Sequence, residues 1–191
     1  MGMYSEKGNI INRGSITITG DDYIGMAGNG AGSQIENYGT IKVSGTNAIG
    51  MYGNAGAVIV NGGTIIADGK NAQGISLSGG SKLSNLANGV IILNGGSAVP
   101  NYSTYSEGGY STPTIINSGV IKVSGDRAIG MFGNLNADIV NDGLIIADGT
   151  GAQVIVLSQG ATLTNTASGT LVLAKMIVNG VTTGNVAGTV G

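Results

Sequence analysis

An asparagine recurs along this chain at Asn12, Asn37, Asn61, Asn85, Asn117, Asn141 and Asn165, with spacings of 25, 24, 24, 32, 24 and 24 residues. A fixed period in this range marks a repeat architecture, in which each unit buries its apolar face only against its neighbours. Two residues before each Asn stands Ile10, Ile35, Ile59, Leu83, Ile115, Ile139 or Leu163. Glycine follows two residues later at Gly14, Gly39, Gly63, Gly119 and Gly143, with Ala87 and Ala167 interrupting the column. An apolar pair comes next, as in Ile16 and Ile18, Ile41 and Val43, or Ile121 and Val123. In the units of Asn85 and Asn165 that pair arrives two residues late, as Ile91 and Leu93 and as Leu171 and Leu173. A longer period is superimposed. Residues 34–93 and 114–173 match at an offset of 80, so that "TIKVSGTNAIGMYGN" faces "VIKVSGDRAIGMFGN". Three units and a longer connection were duplicated as a block.

The conserved spacing within a unit fixes the secondary structure. The Ile, the Asn and the apolar pair share one parity, and same-parity residues of a strand point to one face. Glu36, Tyr38, Thr40 and Lys42 then point the other way. No 3.6-residue periodicity spans a helix length, and the L-x-x-L-x-L pattern of leucine-rich repeats is missing. The reading is all-β: a parallel β-helix, or β-solenoid, right-handed, of about seven rungs of ~24 residues, roughly 34 Å long. One segment covers residues 1–191, with rungs at about 8–97 and 113–173, an inserted loop at 97–113 and an irregular tail at 174–191.

An inward amide is costly unless paired. Stacked rungs bring equivalent side chains about 4.8 Å apart, close enough for a hydrogen-bonded ladder. The Asn column is therefore read as structural rather than as a polar binding row. The glycine that follows it is read as serving a turn that needs positive φ.

Composition limits the chemistry. His and Cys are both absent, which removes the commonest general base, the commonest metal ligand, thiol catalysis, disulfides and thiolate metal sites. With a net charge of −2 there is no basic field for nucleic acid. No apolar run reaches the roughly 20 residues of a membrane span. Residues 1–6 lack a signal-peptide pattern, so the expectation is a piece of a longer chain or a mature one. Asp126 and Asp148, with Arg127 nearby, are the best candidate acid pair, read as a solvated turn; Asp68 and Asp148 are three rungs apart, too far to cooperate. No catalytic residue, metal or cofactor is assigned. The segment "SAVPNYSTYSEGGYSTP" at 97–113 breaks the pattern and carries Tyr102, Tyr105 and Tyr110. Insertions in solenoids are where binding is sought, and Tyr suits sugar or protein ligands. Tyr52 and Phe132, equivalents across the duplication, form a second candidate aromatic pair.

The unit Ile-x-Asn-x-Gly-x-Ile, followed by Ser/Asp-Gly and Ala-x-Gly-Met, resembles the passenger domains of bacterial autotransporters, with large fusobacterial-type adhesins nearest in flavour. The resemblance covers residues 10–173. It implies a right-handed β-helix, type V secretion and display at the outer membrane, attached through a translocator barrel that this chain lacks. Absent Cys agrees with threading through a pore. The family's Gly-Asp-Ser-Gly-Ser protease signature is missing, so no functional residue carries over. The expected function is a non-enzymatic structural and adhesive stalk on the bacterial cell surface. Its partner is a host or bacterial surface protein or glycan, and the stack continues into further rungs or end to end. The alternatives are a β-helix polysaccharide lyase or hydrolase and an end-to-end filament subunit.

Overall fold

The computed structural model describes residues 1–95, 102–107 and 113–173, for 102–107 the backbone alone. All regular elements among them are strands. The first sheet contains Met3–Glu6, Ile24–Asn29, Ile49–Asn54, Gln73–Leu77, Tyr102–Glu107, Ile129–Asn134 and Gln153–Leu157. The second contains Asn9–Asn12, Gln34–Asn37, Val58–Asn61, Lys82–Asn85, Thr114–Asn117, Asp138–Asn141 and Thr162–Asn165. The third contains Ser15–Ile18, Thr40–Val43, Thr64–Ala67, Val90–Leu93, Val120–Val123, Leu144–Ala147 and Thr170–Leu173. Each turn of chain adds one parallel strand to every sheet, giving a β-solenoid of about six turns of ~24 residues.

Repeat positions stack in register. Ile35 pairs with Ile59, Ile59 with Leu83, and Leu83 with Ile115. In the third sheet the row runs Ile41, Ile65, Ile91, Ile121, Ile145. All of these are essentially inaccessible to water. Each such side chain contributes about 1.5–3 kcal/mol relative to exposure, and only the neighbouring rungs provide that burial.

Two expectations need correction. The glycine after the Asn is not there for its φ, because neither Gly39 nor Gly63 has a positive value. The reason is close approach: a Cβ on Gly63 would lie 2.2 Å from the Gly39 carbonyl oxygen, and one on Gly39 2.1 Å from that of Gly14. The column also continues through the units of Asn85 and Asn165, displaced by two residues. A Cβ on Gly119 would meet the Gly89 oxygen at 2.2 Å, and Gly169 follows its Asn by the same four residues as Gly89. The left-handed conformation falls instead at another corner, on Asp22, Asn47, Asn71 and Arg127, with φ of 59°, 55°, 56° and 55°.

The second correction concerns the inserted loop at 97–113. Its middle, Tyr102–Glu107, is a strand of the first sheet, pairing with Gln73–Leu77 on one side and Ile129–Asn134 on the other. The physical reason is the backbone. Leaving out this strand would orphan the ladder groups of both neighbours in mid-sheet, at a cost for every unpaired N–H and C=O. The insertion thus flanks a complete rung. The irregular tail expected at 174–191 lies outside the described residues.

Candidate functional site

The seven asparagines form one continuous ladder. Nδ2 of Asn12 donates to Oδ1 of Asn37 at 2.8 Å, Asn37 to Asn61 at 2.9 Å and Asn61 to Asn85 at 2.8 Å. The chain of bonds continues from Asn85 to Asn117 at 2.7 Å, to Asn141 at 2.8 Å and to Asn165 at 2.7 Å. All seven side chains are buried. The amides also bind their own corners: Asn85 Nδ2 donates to the Gly89 carbonyl at 3.3 Å and Asn141 Nδ2 to that of Gly143 at 3.2 Å. Donors turned to both the ladder and the corner leave little capacity for a ligand. The column therefore holds the fold.

The candidate acids do not form a pair in register. Gly149 sits against Gly125, its would-be Cβ 2.2 Å from the Gly125 oxygen, which aligns Asp148 with Ser124 and Asp126 with Thr150. Lys122 Nζ lies 3.3 Å from Asp148 Oδ2, and the equivalent Lys42 lies 3.1 Å from Asp68. A hydrogen bond from Ser124, with Lys122 adding to it, holds the Asp148 carboxyl below its ordinary value. A general acid needs the opposite shift. Among the described residues, no three His, Cys, Asp or Glu side chains are grouped to hold a metal ion.

The aromatic candidates come together in a way the sequence left open. In the first sheet the row reads Tyr4, Ala27, Tyr52, Ser76, Tyr105, Phe132, Val156. Tyr105 of the insertion and the Tyr52–Phe132 pair thus occupy one register row. Tyr102 aligns with Ile129, in a different row. Tyr110 lies outside the described residues. Tyr4 is 52% exposed, and Tyr52, Phe132 and Val156 are half-buried. Beside this row run Glu6, Asn29 and Asn54, and three rungs on from Asn54 stands Asn134, in register with Glu107; Asn54 Nδ2 donates to Asn29 Oδ1 at 3.1 Å. The sequence obscures this row because the fifth strand of the sheet, YSTYSE, lacks the aliphatic residues that mark the others.

No protein-family model, curated protein or solved structure matches this chain.

Proposed function

We propose that this chain is a non-enzymatic stalk segment of a bacterial autotransporter passenger, displayed outside the outer membrane, that holds adhesive contacts at a distance from the cell. The observation that carries this reading is the unbroken core. The Asn ladder and its flanking apolar rows pass through every rung, including the one that follows the insertion. Such a stack resists bending at any single rung, because each is tied to its neighbours by three sheets at once. The repeat motif that resembles autotransporter passengers supports export and display.

The test places the chain between a secretion signal and a translocator barrel in a Gram-negative host. The expected result is a chain accessible to antibody on intact cells and released by protease as one large resistant fragment. Retention in the periplasm, or release as rung-sized pieces, would sink the stalk reading. Release of reducing ends from a polysaccharide that depends on Asp126 or Asp148 would sink its non-enzymatic part.

A further inference from the structure

Four Asn-Gly pairs fall among the described residues: Asn29–Gly30, Asn61–Gly62, Asn88–Gly89 and Asn94–Gly95. Another, Asn179–Gly180, lies outside them. Glycine after asparagine leaves the backbone nitrogen unshielded by a Cβ, free to reach the side-chain carbonyl of the Asn. Whether it does so depends on what holds the two groups. The Asn61 amide is fixed at both ends in the buried ladder, accepting from Asn37 at 2.9 Å and donating to Asn85 at 2.8 Å. Asn29 Oδ1 accepts from Asn54 at 3.1 Å, and Asn94 Nδ2 donates to Asp68 at 2.8 Å. Among the described residues, the exposed side chain of Asn88 has no hydrogen-bond partner.

The glycine nitrogens divide the same way. Gly30 N donates to Asn54 O at 3.0 Å, Gly62 N to Asn37 O at 2.8 Å and Gly95 N to Ala67 O at 3.2 Å, each across to another rung. Gly89 N donates to Leu86 O at 2.7 Å, inside its own corner. Freeing any of the first three separates rungs. Freeing the last opens one exposed turn, and such local opening costs far less.

We infer that Asn88 is a site of self-modification, at which the corner Leu86–Gly89 converts its asparagine to aspartate and isoaspartate with water as the co-reactant. The Gly89 nitrogen gives its proton to hydroxide and bonds to Cγ of Asn88. The Cγ–Nδ2 bond breaks, and the amide takes a proton from water and leaves as ammonia. Water then opens the cyclic imide at one of its two carbonyls. Opening at Cγ leaves aspartate; opening at the main-chain carbonyl leaves isoaspartate, in which the backbone runs through Cβ and Cγ. The second block lacks this site. Its equivalent corner, Thr166–Gly169, closes with the same bond, Gly169 N to Thr166 O at 3.1 Å, but carries Ser168 in place of Asn88.

Isoaspartate lengthens the main chain by a methylene where the packing has no room for it. A Cβ on Gly89 would lie 2.2 Å from Asn85 Oδ1 and 2.3 Å from the Asn61 carbonyl oxygen. The Gly89 carbonyl accepts from Val120 N at 2.9 Å and from Asn85 Nδ2 at 3.3 Å. Shifting Gly89 therefore loosens the ladder at Asn85, the residue that bonds the first block to the second. The reaction needs no partner and is independent of what the stalk carries.

The test incubates the whole folded chain at mildly alkaline pH. Peptides are mapped at intervals by electron-transfer mass spectrometry, and isoaspartate is labelled with a protein isoaspartyl methyltransferase. Conversion at Asn88 should run at least about tenfold faster than at Asn29, Asn61 or Asn94. Asn88→Ser, which borrows the residue of the other block, should fold like the wild type and lose the label in this corner. The aged wild type should unfold at a lower urea concentration than the fresh protein. Asn88→Asp, which adds the charge without the methylene, should keep the fresh midpoint. Conversion led by any of the other three asparagines overturns the site, as does an Asn88 that converts only after the chain is unfolded in urea. Isoaspartate accumulating at Asn88 with an unchanged midpoint overturns the loosening of the ladder.

Discussion

Asn85 donates its side-chain amide to Asn117 at 2.7 Å across 32 residues of intervening chain, the longest step in a ladder whose other steps span 24 or 25. The insertion therefore does not interrupt the buried polar spine. Removing Asn85 strands the Asn61 donor on one side and the Asn117 acceptor on the other, both in a dry core. A buried group left unsatisfied costs about 1–3 kcal/mol. Asn85→Ala is expected to destabilise the stack by about 3 kcal/mol in urea denaturation. Asn12→Ala, in the first rung, deprives only Asn37 of a ladder partner and should cost about half as much. Equal losses at the two positions would show that the amides act singly rather than as a ladder.

The glycine column gives a sharper contrast within one set of equivalents. A Cβ on Gly63 would lie 2.2 Å from a backbone oxygen of the preceding rung, which cannot yield without opening the sheet. At Gly14, in the first rung, nothing lies within 4 Å. Gly63→Ala should cost more than about 4 kcal/mol or prevent folding, whereas Gly14→Ala should stay within about 0.5 kcal/mol. If the glycines served φ instead, the two substitutions would behave alike, and thermal melts of both variants decide the matter.

The stack was legible in the sequence because stacking forces equal side chains into equal positions. Ile35, Asn37 and Ile41 share a parity and recur, so the sheets and the ladder followed from spacing alone. What did not follow were features that depend on contact between rungs rather than on order within one. The clash that requires Gly39 involves the Gly14 carbonyl, 25 residues away. Gly89 belongs to the same column but follows its Asn after four residues, because the corner Leu86–Gly89 is two residues longer and closes with a 2.7 Å bond from Gly89 N to Leu86 O. The strand Tyr102–Glu107 was hidden for another reason. Its sequence, YSTYSE, puts Thr104 in register with Ile75 and Met131, so it lacks the aliphatic signature that identified the others. Tyr and Thr are nonetheless good strand formers. The aromatic row became visible only once that strand was in place.

One corner carries strain that a single change can relieve. Ala55 has φ of 53° beside Gly56 at 84°, in a turn whose equivalent in the next rung is Gly79–Gly80. An L-residue other than Gly or Asn in this region costs about 1 kcal/mol. Ala55→Gly removes that cost and adds some unfolded-chain entropy. A net gain of about 0.5 kcal/mol is expected, read as a rise in the denaturation midpoint. A fall would mean that the Ala55 methyl contributes packing that outweighs its backbone strain.

Asp148 ties the contact between two adjacent rungs to pH. Its carboxyl is held below 3.8, first by the hydrogen bond from Ser124 and then by Lys122. A folded value below the unfolded one means that the stabilisation is fully present above the ordinary carboxylate range. It is lost as pH falls through the depressed folded value. The group is 41% exposed, so solvent and salt screen most of the effect. Asp148→Asn should cost less than about 1 kcal/mol at neutral pH, and nothing once the wild-type carboxyl is protonated. Carbon-detected NMR titration gives the direct check: a midpoint above 3.8 would contradict the assignment and reopen Asp148 as an acid.

The strand Tyr102–Glu107 joins two blocks that are otherwise copies of one another, and its own neighbours in the first sheet come one from each block. Thr104 is the residue at its centre, in register with Ile75 before it and Met131 after it. Proline there removes a ladder donor and confines φ, at a cost of about 3 kcal/mol in mid-sheet. The second and third sheets still run through the junction, as does the Asn ladder. Thr104→Pro should therefore leave both blocks folded while weakening their coupling. Hydrogen exchange is expected to speed up in Gln73–Leu77 and Ile129–Asn134 and to stay slow in Ile59 and Ile145. Uniform acceleration through the chain would mean that the solenoid unfolds as one unit. Unchanged protection in the two flanking strands would mean that Tyr102–Glu107 adds no stability to the sheet it completes.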